Sequence, residues 1–432
     1  MPPASWIAVS AAGTTESATY WSLLDAAASP IDVSDAEARR LVRDRLLDAV
    51  SAHLVSDVPV GAFLSGGIDS SAVVALMRDC GVRPRTFSVG FDERTFDESE
   101  HAALMADTVG AEHTQVRLRG ADLLEQLPSA LSAIDQPTGD AVNTWVVSGA
   151  VRAQGIKVAL SGLGGDEIFG GYPSFARLMR IAEVSRLWGR APHALRRFAA
   201  SAMRVVGGGS VAATKAAALV ESDGEISSMW PVTRQVLSLE QRTALASDNL
   251  LARVSSDDDP YARLLADAFE DAPQASTFAR ISFAEARTYM HDVLLRDTDQ
   301  MSMAHALEVR VPLLDHQLVE LVMALPDTCK TPAATPKRLL VDALGDRLPG
   351  QIVHRPKQGF TLPFNRWLRG PLRQFCDEQL GERGLGSRHW VKPEAVRALW
   401  TSFIESGRDV SWSRVWVLVS LEHWLEQNGI DS

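Results

Sequence analysis

Residues 65–70 read SGGIDS, between the apolar run Val58, Pro59, Val60, Gly61, Ala62, Phe63, Leu64 and the apolar stretch SAVVALM at 71–77. The first run has the length and composition of a buried strand, and the second continues as a helix. A strand that feeds a glycine-rich turn and then a helix N-terminus builds an oxyanion cradle. Gly66 and Gly67 let backbone N–H groups converge on a phosphate, the helix dipole adds positive potential, and Ser65, Ser70 and Ser71 offer hydroxyls. The lysine of a Walker-type GK[ST] loop is missing. A lysine-free cradle that carries an acidic residue, Asp69, suits a magnesium-bound pyrophosphate that leaves as one unit. That chemistry predicts cleavage of ATP to AMP rather than ADP.

The chain around this loop alternates strands and helices. Ser34 and Glu37 form a capping box, after which Leu41, Val42, Leu46, Val50 and Leu54 mark one helical face. Residues 85–91 (RTFSVGF) and 113–118 read as strands, 97–110 and 140–154 as helices, and 157–161 as a strand that enters a second glycine-rich loop. This order predicts an α/β fold with a doubly wound parallel sheet and a site at the carboxyl ends of its strands. From about Phe175 onward no strand is expected, and alanine-, leucine- and arginine-rich helices should fill the C-terminal half. Residues 1–32 are Ser/Thr/Ala-rich with weak periodicity, so the domain expected is 33–432.

Composition narrows the function classes. With 432 residues, 46% of them hydrophobic, the chain can bury one large core or two moderate ones. Asp and Glu total 54 against 43 Lys and Arg, a net charge of −11. An acidic chain without a long basic run argues against a nucleic-acid partner. No run of about 18 apolar residues and no leader pattern occurs, so no membrane partner and a cytoplasmic location are expected. Cys80, Cys329 and Cys376 lie far apart without a C-x-x-C pair, which points to neither zinc nor a disulfide framework.

The second loop, SGLGGDEIFGGY at 161–172, sets an Asp-Glu pair among glycines at the end of a strand, as a second anion and metal site would. Four segments in order, SDVPVGAFLSGGIDSS at 56–71, this loop, LEVRVPLLDHQLVE at 307–320 and RPKQGFTLPFNRWLRG at 355–370, resemble the synthetase domain of glutamine-dependent asparagine synthetases. The similarity runs from about residue 34 to 372 and extends to β-lactam and macrolactam synthetases. It implies an ATP-pyrophosphatase-type α/β domain that adenylates a carboxylate, by default aspartate, releases pyrophosphate, and lets ammonia or an amine attack the acyl-adenylate.

The resemblance also implies roles. Ser65, Gly66, Gly67, Asp69, Ser70 and Ser71 match the pyrophosphate loop, and Leu64 and Val89 match backbone positions that meet the adenine. Ser161 and Gly162 match positions beside the ribose and α-phosphate. Asp69 and Asp166 correspond to carboxylates for Mg²⁺, and Lys337, in TPKRLL, to a lysine that stabilises charge on the phosphates during adenylation. Weaker candidates are Arg287, Arg296, Asp297 and Asp299 on one charged helix, more simply a solvated or ion-paired face. Met301 and Met303 should pack in the core, Arg310 should pair with Glu308 or Asp315, and Lys357 could reach pyrophosphate.

Two departures qualify the resemblance. Full-length members begin with a glutaminase domain whose nucleophile is an N-terminal cysteine, whereas Pro2 follows Met1 here. Residues 1–32 then read as a remnant or linker of that domain, and nitrogen would come from solution, from a separate glutaminase partner or from another amine; a homodimer is also expected. The second departure is Leu163, where the family commonly carries Glu or Asp. Leucine neither takes a proton nor binds a cation, so Glu167 is the nearest alternative base for the amine step. A specialised lactam or amide ligase, and a non-catalytic nucleotide-binding subunit, are the alternative functions.

Overall fold

The computed structural model describes residues 1–91, 99–188, 191–207, 211–254, 259–331, 335–355, 362–405 and 410–430, and the statements below concern these residues. The expected helix at 97–110 is observed as Ser99–Val109. Lys357 lies outside the described residues.

Strands β1 Ser5–Val9 and β2 Thr15–Thr19 pair with each other, and the main sheet is parallel with the strand order β5–β4–β3–β6–β7, where β3 is Val60–Phe63, β4 Arg85–Phe91, β5 Glu112–Leu118, β6 Val158–Leu160 and β7 Glu308–Arg310. From β3 the chain winds outward through β4 and β5, then returns to the other side of β3 for β6 and β7. The crevice at the carboxyl ends of β3 and β6 is therefore a topological switch point, the place where a doubly wound sheet binds ligands. Adjacent residues on these strands enter different cores, as the period of two demands. Ala62, Leu64 and Leu160 join the large cluster with the helices Asp35–His53 and Ile68–Asp79, whereas Phe63, Phe87 and Ala159 face Val151, Ile156 and Leu307. A third cluster, containing Trp145, Phe364, Phe403 and Trp416, organises the C-terminal helices.

Three local features differ from the sequence expectations, and one, the Arg310 pair, goes further than expected. β7 is a strand in the half where none was expected. It is three residues long and only partly buried, so it carries no periodic signal of its own, and its place is fixed by pairing Val309 with Ala159. Residues 1–32 are not uniform. Ser5–Val9 and Thr15–Thr19 form an exposed antiparallel hairpin, while the helix Leu23–Ala27 buries Leu23 and Leu24 in the main core and Trp21 Nε1 donates to Glu320 Oε1 at 2.7 Å. Arg310 does pair with Glu308, at 2.7 Å, but its guanidinium also donates to the carbonyls of His53 and Val55, and Asp315 instead caps the helix His316–Ala324. Met301 is buried as expected; Met303, two positions away and so on another helical face, is exposed.

Candidate functional site

The two glycine-rich loops meet at the switch point and line one cavity of about 550 Å³. In the first loop Ser65 and Ser70 lock the turn. Their hydroxyls lie 3.1 Å apart, the Gly67 N–H donates to Ser65 Oγ, and Ser70 Oγ donates to the Gly67 carbonyl. The helix Ile68–Asp79 starts there with Asp69 in its first turn, where the dipole favours a carboxylate. Leu64, Ser65, Gly67, Asp69, Ser70 and Val89 line the cavity. Ser71 does not: it sits fully buried in the core behind the loop, because the helical turn carries it away from the opening. Gly66 is also not a lining residue; it turns at φ +69° beneath the backbone of Ala102.

The second loop brings Ser161, Gly162, Leu163, Asp166 and Glu167 to the same cavity. Lys337 arrives from a segment 171 residues farther along than Asp166 and is buried under both loops. Its ammonium donates to Asp69 Oδ2 and forms an ion pair with Asp166 Oδ1 at 2.8 Å. Burial works against this charge, but Asp69 and then Asp166 outweigh it and hold the Lys337 ammonium above its usual range. A β-carbon at Gly171 would overlap Asp166 Oδ1 and Lys337 Cε, so this glycine is what lets the second loop close on the cluster. The three residues named from sequence as the catalytic set, Lys337, Asp69 and Asp166, are thus brought together.

Behind them stands a network that sequence reasoning missed. Arg234 is bonded to the buried Glu285, Nε to Oε2 at 2.8 Å, and its guanidinium stacks over the rings of Tyr172 and Tyr289 at 4.2 and 4.5 Å. Tyr172 Oη donates to Glu167 Oε1 at 2.7 Å, and Tyr289 Oη donates to Asp140 Oδ2 at 3.1 Å. Both tyrosines and both carboxylates line the cavity. Burial, and then the neighbouring Asp166, push the Glu167 carboxyl up to about 7. Tyr289 stands on a ten-residue π-helix, Ala286–Leu295, whose wide turn puts Tyr289 and Leu294 on one face and in the cavity wall together. Only Tyr172 and Glu167 carried a sequence signal, as members of the second loop.

The charged helix is mostly structural. Arg287 and Asp299 do not line the cavity, Asp299 is exposed, and Arg296 donates to Gln136. Asp297 is buried, accepts from Thr138 Oγ1 at 2.6 Å and lies 3.4 Å from Arg296. Burial outweighs these partners and raises its carboxyl to about 6. The folded state therefore holds a proton that the unfolded chain releases near pH 4, so ionising Asp297 costs stability as pH rises from about 4 to 6. Asp297→Asn should flatten the fall in unfolding free energy over that window, by an amount on the order of 2–3 kcal/mol. Urea denaturation of both proteins at pH 4.5 and 7 measures it, and an unchanged difference between the two pH values would refute the assignment.

Among the described residues no group of three or more His, Cys, Asp or Glu is placed to hold a metal. Asp69 and Asp166 nevertheless make an all-oxygen pair at the cavity, which fits Mg²⁺, an ion that takes one or two carboxylates and completes its shell with phosphate oxygens and water. Among the described residues Asp69, Asp140, Asp166 and Glu167 all line the cavity, so an incoming triphosphate meets negative charge that a divalent cation would offset.

Comparison with known proteins agrees with this geometry. The asparagine synthase family profile matches residues 41–426. The chain is similar to glutamine-hydrolysing asparagine synthetase 1 of Bacillus subtilis, 28% identical over 359 residues, which covers 83% of this chain and 55% of the relative. It is also similar to asparagine synthetase 3 of the same organism, 27% identical over 74% of this chain and 47% of the relative. A further relative is the amidase chry2 of Gibberella zeae, 27% identical over 84% of this chain and 58% of the relative. The chain spans about half the length of these relatives. With a parallel sheet of the pyrophosphatase type and a profile match over most of its length, this chain belongs to the asparagine synthase family.

Proposed function

We propose that this chain is an ATP-dependent, AMP-forming ligase that adenylates a carboxylate and transfers the acyl group to nitrogen, with aspartate and ammonia as default substrates. The observation that carries this reading is Lys337, buried beneath two glycine-rich loops and paired with Asp69 and Asp166, which both line the cavity. A module that only binds nucleotide has no need of a buried lysine held between two carboxylates.

In this reading Ser65, Gly67 and Ser70, which line the cavity, and the N-terminus of Ile68–Asp79 hold the β- and γ-phosphates. A carboxylate oxygen attacks the α-phosphorus, the bond from that phosphorus to the bridging oxygen breaks, and pyrophosphate leaves with the electron pair. Lys337 supplies positive charge where charge develops on the phosphates, an effect worth several kcal/mol in a dry site. Bound at Asp69 and Asp166, Mg²⁺ would neutralise phosphate charge. The nitrogen lone pair then attacks the acyl carbon, AMP leaves, and the nitrogen loses a proton to Glu167, which lines the cavity as Leu163 does.

The test is product analysis with ATP, Mg²⁺ and a panel of carboxylic acids led by aspartate. AMP and pyrophosphate should form, and ATP–pyrophosphate exchange should depend on the acid. Release of ADP, or acid-independent cleavage, would overturn the proposal.

A further inference from the structure

The cavity wall that the two loops do not supply has a chemistry of its own. Val147 comes from the helix Ala141–Ala153, Tyr289 and Leu294 from the π-helix, and Trp412 from the first position of the helix Trp412–Gln427. With Leu163 they make an apolar surround, in which Phe364 stacks against Trp412 at 5.1 Å and supports it. Asp140 lies in the same wall, fixed by the Tyr289 hydroxyl. Burial holds Asp140 above the usual carboxylate range despite that hydrogen bond and the nearby Arg234. Among the described residues that line the cavity there is no Lys, Arg or His.

Each candidate nucleophile asks for different surroundings. Ammonia is small and neutral and needs neither an apolar wall nor a buried carboxylate. An amine that itself carries a carboxylate asks for a cation to pair with it. An alkyl or arylalkyl ammonium asks for what this wall supplies, a single carboxylate, Asp140, beside the apolar Val147, Leu294 and Trp412.

We propose that the nucleophile accepted by this cavity is a primary amine with an apolar body, its ammonium facing Asp140 and its body against Leu163, Leu294 and Trp412. This rests on the amide-ligase reading above and replaces its default nitrogen donor. On attack the ammonium loses two protons in all, one to Asp140 as it becomes the free amine and one to Glu167 as the amide forms; the C–N bond is made, the acyl–oxygen bond to AMP breaks, and AMP leaves with its electrons.

Binding to the purified full chain, measured by calorimetry with phenethylamine, hexylamine, methylamine and ammonium chloride, tests the inference without turnover. Each buried methylene is worth about fourfold in affinity, so hexylamine and phenethylamine should bind at least about tenfold tighter than methylamine, and ammonium should show no saturation. Asp140→Asn should weaken phenethylamine about tenfold or more, and Leu294→Ala should weaken hexylamine severalfold while leaving methylamine unchanged. If Asp140→Asn does not fold, Leu294→Ala decides. Equal binding of all the amines, no binding, or binding indifferent to these substitutions would overturn the proposal. Failure of the ligase reading would be seen separately, as absence of acid-dependent ATP–pyrophosphate exchange in the wild-type chain.

Discussion

Lys337→Met should lower ATP–pyrophosphate exchange by about 10²–10³ or more, the effect of deleting a preorganised charge from a transition state. The same change leaves Asp69 and Asp166 facing each other without the cation they share, and breaking a buried ion pair costs about 3–5 kcal/mol. Loss of exchange alone would therefore not separate catalysis from folding. The double variant Lys337→Met with Asp69→Asn removes one of the stranded charges and should recover much of the melting temperature. Because Asp69 is itself a proposed Mg²⁺ carboxylate, the double variant's exchange is compared with that of Asp69→Asn alone, below which it should remain well reduced. Recovery of exchange together with stability would mean that Lys337 only holds the loops together, and undiminished exchange in the single variant would place its ammonium away from the reacting phosphate.

Gly171→Ala should strike the ion-pair cluster directly. The new β-carbon would overlap both Asp166 Oδ1 and Lys337 Cε, and no flexible chain end is available to yield without moving the ion pair. Overpacking of this kind costs about 1–3 kcal/mol, and a displacement of about 1 Å at the reacting groups costs about a hundredfold in rate. The proposed phosphate contacts at Ser65 and Gly67 are untouched, so exchange should fall about a hundredfold with the KM for ATP changed much less. Exchange within threefold of wild type, with the fold intact, would show that the cluster tolerates movement and is not preorganised.

Much of the site was legible along the chain because its parts are local. Ser65, Gly67, Asp69 and Ser70 belong to one strand–loop–helix turn, and Ser161, Gly162, Leu163, Asp166 and Glu167 to another; an apolar run followed by glycines at the start of a helix records both. Ser71 shows where local reading stops. Its hydroxyl type suited the cradle, but the helical period of about 3.6 residues directs it into the core. Similarly, the alternation of periods from 2 to 3.6 announced a parallel sheet, whereas β7, at three residues, is too short for any period and exists through its pairing with β6.

The sequence by itself thus determined the fold class, the family and the two glycine-rich loops that line the cavity, since each depends on neighbours in the chain. Tertiary structure alone decided the rest of the cavity. Tyr289 meets Asp140 across 149 positions and Arg234 meets Glu285 across 51, and the π-helix aligns Tyr289 with Leu294 only because its turn is wider than that of an α-helix. A charged or aromatic residue in isolation has the same appearance on a solvated surface as in a buried network. Burial and partner choice are properties of packing between distant segments, so the remaining cavity wall becomes readable only once the chain has folded.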